Sequence, residues 1–185
     1  MELTSENSPL RIAELPAPGG GLLGLTLCPG KRQAGTISGR WHRDLEADLD
    51  AVQRWGAGAV VSLVESWELE HLGVPSLGER IAARGMAWHD LPIRDGDVPD
   101  ASFEQSWQRH GPELRRRVSA GERILIHCRA GLGRTGLVAA RLLIELGEPP
   151  TEALARVRAA RPGAVETPAQ ERHVLYRLWA GHTAP

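Results

Sequence analysis

A cysteine and an arginine, Cys128 and Arg134, lie six positions apart in a segment that reads His-Cys-Arg-Ala-Gly-Leu-Gly-Arg-Thr-Gly. The apolar run Ile124–Ile126 precedes this segment and predicts a buried strand, and a helical pattern begins at Arg134. In a tight loop between a strand and a helix, successive backbone N–H groups converge on one centre, and the helix N-terminus adds a positive field. The segment therefore predicts an anion-binding loop with a thiol at its base.

Each part of this loop has a chemical task that its residue type suits. The electropositive field favours the thiolate form of Cys128, which is the nucleophilic form. The planar guanidinium of Arg134 matches two oxygens of a phosphate group. The side chain of Arg129 is expected to point outward. Backbone N–H groups for the phosphate are expected from Arg129, Ala130, Gly131, Leu132, Gly133 and Arg134.

Two other interpretations of the same glycines fit less well. Gly131, Gly133 and Gly136 match the G-x-G-x-x-G pattern of dinucleotide-binding loops. That pattern normally opens its domain and is followed, about 20 residues later, by an acidic residue that contacts the ribose, and neither feature is present here. A Walker loop requires glycine at position 127 and lysine at position 134, where this chain has histidine and arginine.

Composition limits the classes of protein that remain. The chain has 185 residues, 22 Lys and Arg against 23 Asp and Glu, and two cysteines. This length fits one domain, and the near-neutral charge argues against a nucleic-acid binder. No apolar run approaches the roughly 20 residues of a membrane helix, and two cysteines suggest a reducing cytoplasm. Histidine spacing shows no metal site, so neither metal nor cofactor is expected.

The elements that must position the loop alternate along the chain and predict a single three-layer α/β domain with a mostly parallel central sheet between helices. A flexible arm is expected over residues 1–21, and the domain over residues 22–185. Strands are predicted at 22–27, 59–64, 86–91 and 124–126. Helices are predicted at 44–55, 76–84, 103–118, 134–147, 151–161 and 168–180.

The segment from His127 to Thr135 resembles the H-C-x5-R-[ST] signature of cysteine-dependent protein tyrosine and dual-specificity phosphatases. Further segments resemble the kinase-associated phosphatase group of these enzymes, also called the cyclin-dependent kinase inhibitor-3 family. They read LLGLTLCPG at 22–30, VPSL at 74–77 and LPIRDGDVPD at 91–100. The resemblance implies metal-free hydrolysis of phosphoproteins and an aspartate in a loop as the general acid.

Asp95, Asp97 and Asp100 are the carboxylates that the loop at 92–100 offers for this task. Asp100 follows Pro99 at the start of a helix and is better explained as its N-cap. Asp95 aligns with the acid of the family and precedes Gly96, which can act as a hinge. Asp97 stays open as the alternative.

Four further residues receive supporting roles. His127 is expected to hydrogen-bond the loop backbone, and Thr135 to cap the helix or, by resemblance, to donate to the cysteine sulfur. Gln170 fits a capping box with Thr167, although the resemblance also implies a glutamine that positions water. Cys28 is expected in the core. Some relatives protect the catalytic cysteine with a disulfide, and here Cys28 is the only other cysteine.

The sequence thus favours a cytoplasmic, monomeric phosphatase that acts on phosphotyrosine, phosphoserine or phosphothreonine in proteins through a cysteinyl-phosphate intermediate. A lipid or inositol phosphatase is one alternative, although such relatives usually have lysines in the loop, where this chain has Leu132. A non-catalytic phosphate-binding module is the other, although binding alone needs no thiolate.

Overall fold

The computed structural model describes residues 1–178. In chain order its elements are β1 (Glu2–Leu3), β2 (Ala13–Pro16), β3 (Leu22–Thr26), β4 (Arg32–Thr36), β5 (Gly39–His42), α1 (Leu45–Trp55), β6 (Ala57–Ser62), α2 (Ser66–His71), α3 (Leu77–Ala83), β7 (Ala87–Asp90), α4 (Ala101–Ser119), β8 (Arg123–His127), α5 (Gly133–Glu145), α6 (Pro150–Ala160) and α7 (Pro168–Arg172), followed by a π-helical turn, His173–Arg177.

Five strands form the main sheet in the order β2-β3-β8-β6-β7. All neighbouring strands are parallel except β2, which pairs with β3 in the antiparallel direction. The central strand β8 is covered on both faces, which explains why residues 124–126 are all apolar and fully buried. Helices flank the sheet, so the predicted α/β architecture is confirmed, and the loops that follow β6, β7 and β8 emerge at one edge.

Local signals place the helices beside the sheet. Asp44 caps α1 by accepting a hydrogen bond from the backbone N–H of Ala47, and Gly56 ends this helix with a positive φ of 90°. The helix α5 is buried along most of its length and packs on β3, β8 and α6. The first turn of this helix is thereby held at the end of β8.

The segment 1–21 differs from the expected flexible arm. The strand β2 adds an edge to the main sheet, and Leu15 within it is buried. Nearer the N-terminus, the carbonyl of Ser8 accepts a hydrogen bond from Arg43, whose guanidinium forms a buried ion pair with Asp48. Proline and glycine content alone suggested a loose segment, whereas these long-range contacts, which no local pattern reveals, hold it on the domain.

Two further differences concern small elements. A second sheet, in the order β1-β5-β4, was not predicted because its short strands lack an alternating apolar pattern. The predicted helix at 168–180 is divided, since α7 ends at Arg172 and the π-helical turn follows it. The last two positions of that predicted helix lie outside the described residues.

Candidate active site

The loop between β8 and α5 carries the predicted nucleophile. Cys128 directly follows the last residue of β8. It is buried, and it lines a cavity of about 380 Å³. The backbone N–H groups of residues 129–134 donate no hydrogen bond to any residue between 1 and 178. Six N–H groups of the loop are thus available as donors to an anion.

Gly131 allows this loop to curl against the neighbouring strand. Its φ is +73°, and a Cβ atom at this position would lie 2.3 Å from the carbonyl oxygen of Thr26. Only glycine fits both the backbone conformation and the space. On the outer side of the loop, Arg161 donates to the carbonyl oxygens of Ala130 and Gly131 at 3.0 and 3.2 Å. These bonds give the two carbonyl groups a fixed partner, a role for Arg161 that the sequence did not reveal.

Arg134 lies at the cavity wall with its guanidinium fixed by a carboxylate. Its two Nη atoms donate to the two carboxylate oxygens of Glu68 at 2.7 and 2.9 Å, and Nη1 also donates to the carbonyl of Ile93 at 2.9 Å. Burial acts to lower the pKa of Arg134, but the hydrogen bonds with Glu68 together with the nearby charges of Cys128, Glu68 and Asp95 outweigh it, and the pKa is raised. Arg134 therefore remains a cation with a fixed orientation.

Glu68 is a site residue that the sequence analysis missed. It lies on the short helix α2, which was not predicted, and its side chain is almost fully buried. Its carboxylate also accepts a hydrogen bond from the backbone N–H of Glu65. A glutamate in this position has no distinguishing motif, because only the tertiary structure brings it to Arg134.

His127 forms part of a buried hydrogen-bond chain below the loop. The carbonyl oxygen of Cys128 can only accept, so Nδ1 of His127 donates to it at 3.1 Å. Nε2 then accepts from the hydroxyl of Ser62 at 2.6 Å, and that hydroxyl accepts from the indole N–H of Trp88. Burial lowers the pKa of His127 to about 4, so the ring is neutral and orients the loop backbone.

Thr135 lies in the first turn of α5 and is fully buried. Within residues 1–178 its hydroxyl has no hydrogen-bond partner, and the N-cap position of this helix is Leu132. The capping role expected for Thr135 is therefore not observed.

The loop after β7 brings Asp95 to the cavity. One carboxylate oxygen lies 3.1 Å from Nη2 of Arg134, and the other accepts from Nη2 of Arg129. Asp97 instead accepts a hydrogen bond from the N–H of Val98 and does not line the cavity. Asp100 is the N-cap of α4, as predicted.

Arg129 differs from its expected outward orientation. Its guanidinium turns toward the cavity and forms an ion pair with Asp95. The carboxylate of Asp95 supplies the counter-charge of Arg129. The sequence alone does not show that these two residues are close together. The two arginines of the loop thus both contact the same aspartate.

Gln170 caps α7 and also touches the acid-bearing loop. Its side-chain oxygen accepts from the N–H groups of Glu166 and Thr167, and its amide nitrogen donates to the carbonyl of Asp97 at 3.2 Å. A capping box with Thr167 is complete. A Cβ atom on Gly133 would lie 2.9 Å from the Gln170 oxygen, so this side chain lies close to the anion-binding loop.

The two cysteines are free thiols. Cys28 is fully buried, as expected, and burial raises the pKa of its thiol. Among residues 1–178, no three or more His, Cys, Asp or Glu side chains are grouped as a metal ion would require. The helices of the same range include none that is long and apolar enough to cross a bilayer.

A mostly parallel sheet that ends in a cysteine, an anion-binding loop and a buried arginine defines the class of cysteine-dependent phosphatases. A crystal structure of kinase-associated phosphatase, with its catalytic-site cysteine replaced by serine, superposes with a TM-score of 0.81 at 28% identity and covers 96% of this chain and 98% of that one. The active form of the phosphatase Tk-PTP is 33% identical, with a TM-score of 0.65, over 84% of this chain and 90% of that one.

Sequence comparison gives the particular family. The family model described as cyclin-dependent kinase inhibitor 3 matches residues 3–154. Cyclin-dependent kinase inhibitor 3 of Rattus norvegicus is 31% identical over 168 residues, which is 88% of this chain and 76% of the relative. Protein tyrosine phosphatase PRL-1 of Trypanosoma cruzi is 31% identical over 63% of this chain and 69% of its own length. The chain belongs to the cyclin-dependent kinase inhibitor 3 family of protein tyrosine and dual-specificity phosphatases.

Proposed function

We propose that this protein hydrolyses phosphate monoesters of tyrosine, serine or threonine in phosphoproteins through a phosphate ester of Cys128. The observation that carries this proposal is one cavity that Cys128, Arg134 and Asp95 all line. Six backbone N–H groups that have no partner within residues 1–178 and the fixed guanidinium of Arg134 are available to an anion there, beside the thiol of Cys128. Such preformed donors stabilise the charge of the transferring phosphoryl group.

In the first step the thiolate of Cys128 attacks phosphorus as the bond from phosphorus to the substrate oxygen breaks. An alkoxide or phenoxide is a poor leaving group, so a carboxylic acid must protonate the departing oxygen. Asp95 supplies this proton. In the second step water attacks the phosphocysteine, Asp95 takes the proton back, and the thiolate leaves.

Asp95 fits the acid role better than Asp97 because it lines the cavity together with Cys128 and Arg134, whereas Asp97 does not. In the absence of substrate the carboxylate of Asp95 contacts the guanidinium that a phosphate also needs. A dianionic phosphate competes with this carboxylate for the guanidinium of Arg134. The amide of Gln170, which contacts the loop at Asp97, is also near enough to the helix start to orient water.

A phosphoprotein is favoured as substrate over an inositol phosphate by the composition of the loop. Leu132 stands where lysines would meet additional phosphates, and Arg129 is the only other basic residue of the loop besides Arg134. The free thiols agree with a reducing cytoplasmic location. We further propose that the enzyme acts as a monomer and without a metal, so that EDTA leaves its turnover unchanged.

The first experiment replaces the nucleophile. Cys128→Ser should lose more than about 10³-fold in kcat on p-nitrophenyl phosphate, because the weakly acidic hydroxyl is a poor nucleophile. It should still bind phosphate or phosphopeptide, because the donors remain. Wild-type-like turnover by Cys128→Ser would contradict the covalent mechanism, and loss of phosphate binding would contradict the separate anion site.

The second experiment assigns the general acid by comparing Asp95→Asn with Asp97→Asn. Asp95→Asn should lower kcat by about 10²- to 10⁴-fold on a phosphoserine peptide and by less on an aryl phosphate. The larger loss is expected for the alkyl leaving group because it needs the proton more. Asp97→Asn is the matched control and should stay near wild type. The reverse pattern would assign the acid to Asp97.

The third experiment ranks the substrates. The value of kcat/KM should be higher on phosphotyrosine, phosphoserine and phosphothreonine peptides than on phosphoinositides. Preferential hydrolysis of phosphoinositides would instead support the lipid phosphatase. The absence of turnover on every substrate, with phosphate binding intact, would support the binding module.

A further inference from the structure

The segment 31–43, which contains β4 and β5, is strongly basic in a chain whose net charge is −1. It contains Lys31, Arg32, Arg40 and Arg43, and it contains neither aspartate nor glutamate. Only Arg43 forms an ion pair with a residue in the described part of the chain, through Asp48. Three cations in this segment therefore have no such counter-charge, and the catalytic steps above use none of them.

Beside this hairpin lies a groove of about 530 Å³, here called the basic groove, which includes Arg32, Arg40, Trp41, His42 and His71 in its lining. Arg32 and Arg40 are exposed and form no ion pair within residues 1–178. Glu2 is opposite Arg40 in the strand register without forming an ion pair with it. The basic groove thus presents two unpaired guanidinium groups beside an indole ring.

Lys31 connects the basic groove with the active-site loop. Its side chain is 5% exposed, and its ammonium lies 5.0 Å from the centroid of the Trp41 ring. Burial lowers the pKa of Lys31, the thiols of Cys28 and Cys128 act to raise it, and Arg129 acts to lower it. The backbone N–H of Cys28 donates to the carbonyl of Arg129 at 3.3 Å. Because the backbone N–H of Lys31 also donates to the carbonyl of Cys28 at 3.2 Å, a short backbone path through Lys31 and Cys28 joins the basic groove to Arg129 of the active-site loop.

We propose that the basic groove binds an acidic segment of the phosphoprotein substrate while its phosphorylated residue occupies the active site. This inference rests on the proposed function and adds a substrate class to it. An extended peptide advances about 3.3 Å per residue, so the acidic residues of the test peptides are placed on both sides of the phosphorylated residue. Glutamate or aspartate side chains then pair with Arg32 and Arg40.

The chemistry of the hairpin favours a peptide over a membrane surface. Binding in a lipid interface needs an apolar face of several side chains in addition to positive charge. In β4, β5 and the turn between them, Ile37 is the only large apolar side chain that is fully exposed. Paired carboxylates on a flexible peptide can follow the groove without such a face.

The test compares two phosphopeptides that share the phosphorylated residue preferred in the substrate panel. The acidic peptide carries four glutamates and the neutral peptide carries four serines at the same positions. Each is made in two versions, with the four residues before or after the phosphorylated residue. For the wild type, kcat/KM should be about three- to tenfold higher on one acidic peptide, as expected for a few exposed ion pairs. The preference should disappear in 1 M NaCl, where the Debye length is about 3 Å.

The double variant Arg32→Gln/Arg40→Gln should lose this preference and keep wild-type kcat/KM on p-nitrophenyl phosphate. The control Arg54→Gln/Arg109→Gln removes the same charge from exposed arginines on α1 and α4 that form no ion pair with any described residue, and it should keep the preference. An equal loss in both variants, or no preference in the wild type, would overturn the proposal. Binding to phosphatidylserine vesicles that only the first variant loses, with the peptide preference unchanged, would assign the groove to membranes. Absence of turnover on p-nitrophenyl phosphate would instead contradict the proposed function.

Discussion

Arg134 is held in position by a carboxylate that lies outside the active-site loop. Glu68 and Arg134 are each about 1% exposed, and two hydrogen bonds join them. A buried ion pair of this kind adds little net stability, but removing one partner leaves an uncompensated charge. The pair therefore fixes the direction of the guanidinium that a phosphate must meet.

Glu68→Gln should lower kcat/KM by at least about tenfold, because a guanidinium without its paired carboxylate loses its fixed orientation. The free energy of unfolding should fall by about 3 kcal/mol, since the charge of Arg134 stays buried. Kinetics on p-nitrophenyl phosphate and urea unfolding measure the two effects. Glu70→Gln, at an exposed position on the same helix, is the control and should change neither. Unchanged kcat/KM in Glu68→Gln would show that Arg134 needs no such support.

The active-site loop depends on its backbone conformation as much as on its side chains. Gly131 has a positive φ and lies against the backbone of β3, while Gly85, at the end of α3, has a similar φ of +77° in open space. Substitution of Gly85 therefore tests only the free-energy cost of a left-handed backbone, whereas substitution of Gly131 adds the cost of a clash with β3.

Gly131→Ala should lose about 10²-fold or more in kcat/KM, because its Cβ atom must displace either the loop or the strand. Gly85→Ala should lose about 1–2 kcal/mol in stability from the left-handed conformation, and its kcat/KM should stay within about twofold of wild type. Thermal unfolding and steady-state kinetics of both variants give the comparison. Equal kinetics in the two variants would refute the importance of the loop conformation.

The sequence predicted the elements whose patterns are local. The helix predicted at 44–55, the apolar strand before Cys128 and the capping box at Thr167 are found as predicted. Local chemistry also placed Cys128 and Arg134 on one loop. These predictions succeeded because each depends on residues that are near one another in the chain.

Features that depend on distant residues were missed. The contact of Glu68 with Arg134 spans 66 positions, and that of Arg129 with Asp95 spans 34. The pairing of β2 with β3 likewise fixes the segment 1–21, whose proline and glycine content had suggested a flexible arm. Such contacts follow from the topology of the sheet, which local periodicity does not determine.

Stability of the whole molecule should depend on pH through two buried imidazoles. The pKa of His127 and that of His89 are each lowered to about 4, mainly by burial. The unfolded chain protonates these residues near pH 6.5, whereas the folded chain does so only near pH 4. The stabilising contribution is therefore complete above about pH 6.5 and is lost as the pH falls toward 4.

The free energy of unfolding should accordingly decrease from pH 7 to pH 5, by up to about 1.4 kcal/mol per pH unit for the fully buried His127. Urea unfolding at pH 7, 6 and 5 measures this slope. His127→Asn should be less stable at pH 7 but show a shallower slope, because one titrating group is gone. A slope that is the same in both proteins would show that His127 is not buried as a neutral ring.

The position of β8 in the sheet has a consequence for the order of folding. This strand lies between β3 and β6, yet it follows both in the chain. During synthesis, residues 1–122 leave the ribosome before the strand that joins the two halves of the sheet exists. Folds with such long sequence separations acquire their native contacts late and cooperatively. The strand that completes the sheet also delivers the nucleophile, so a nascent chain has no active intermediate, and catalytic competence arises together with the finished fold.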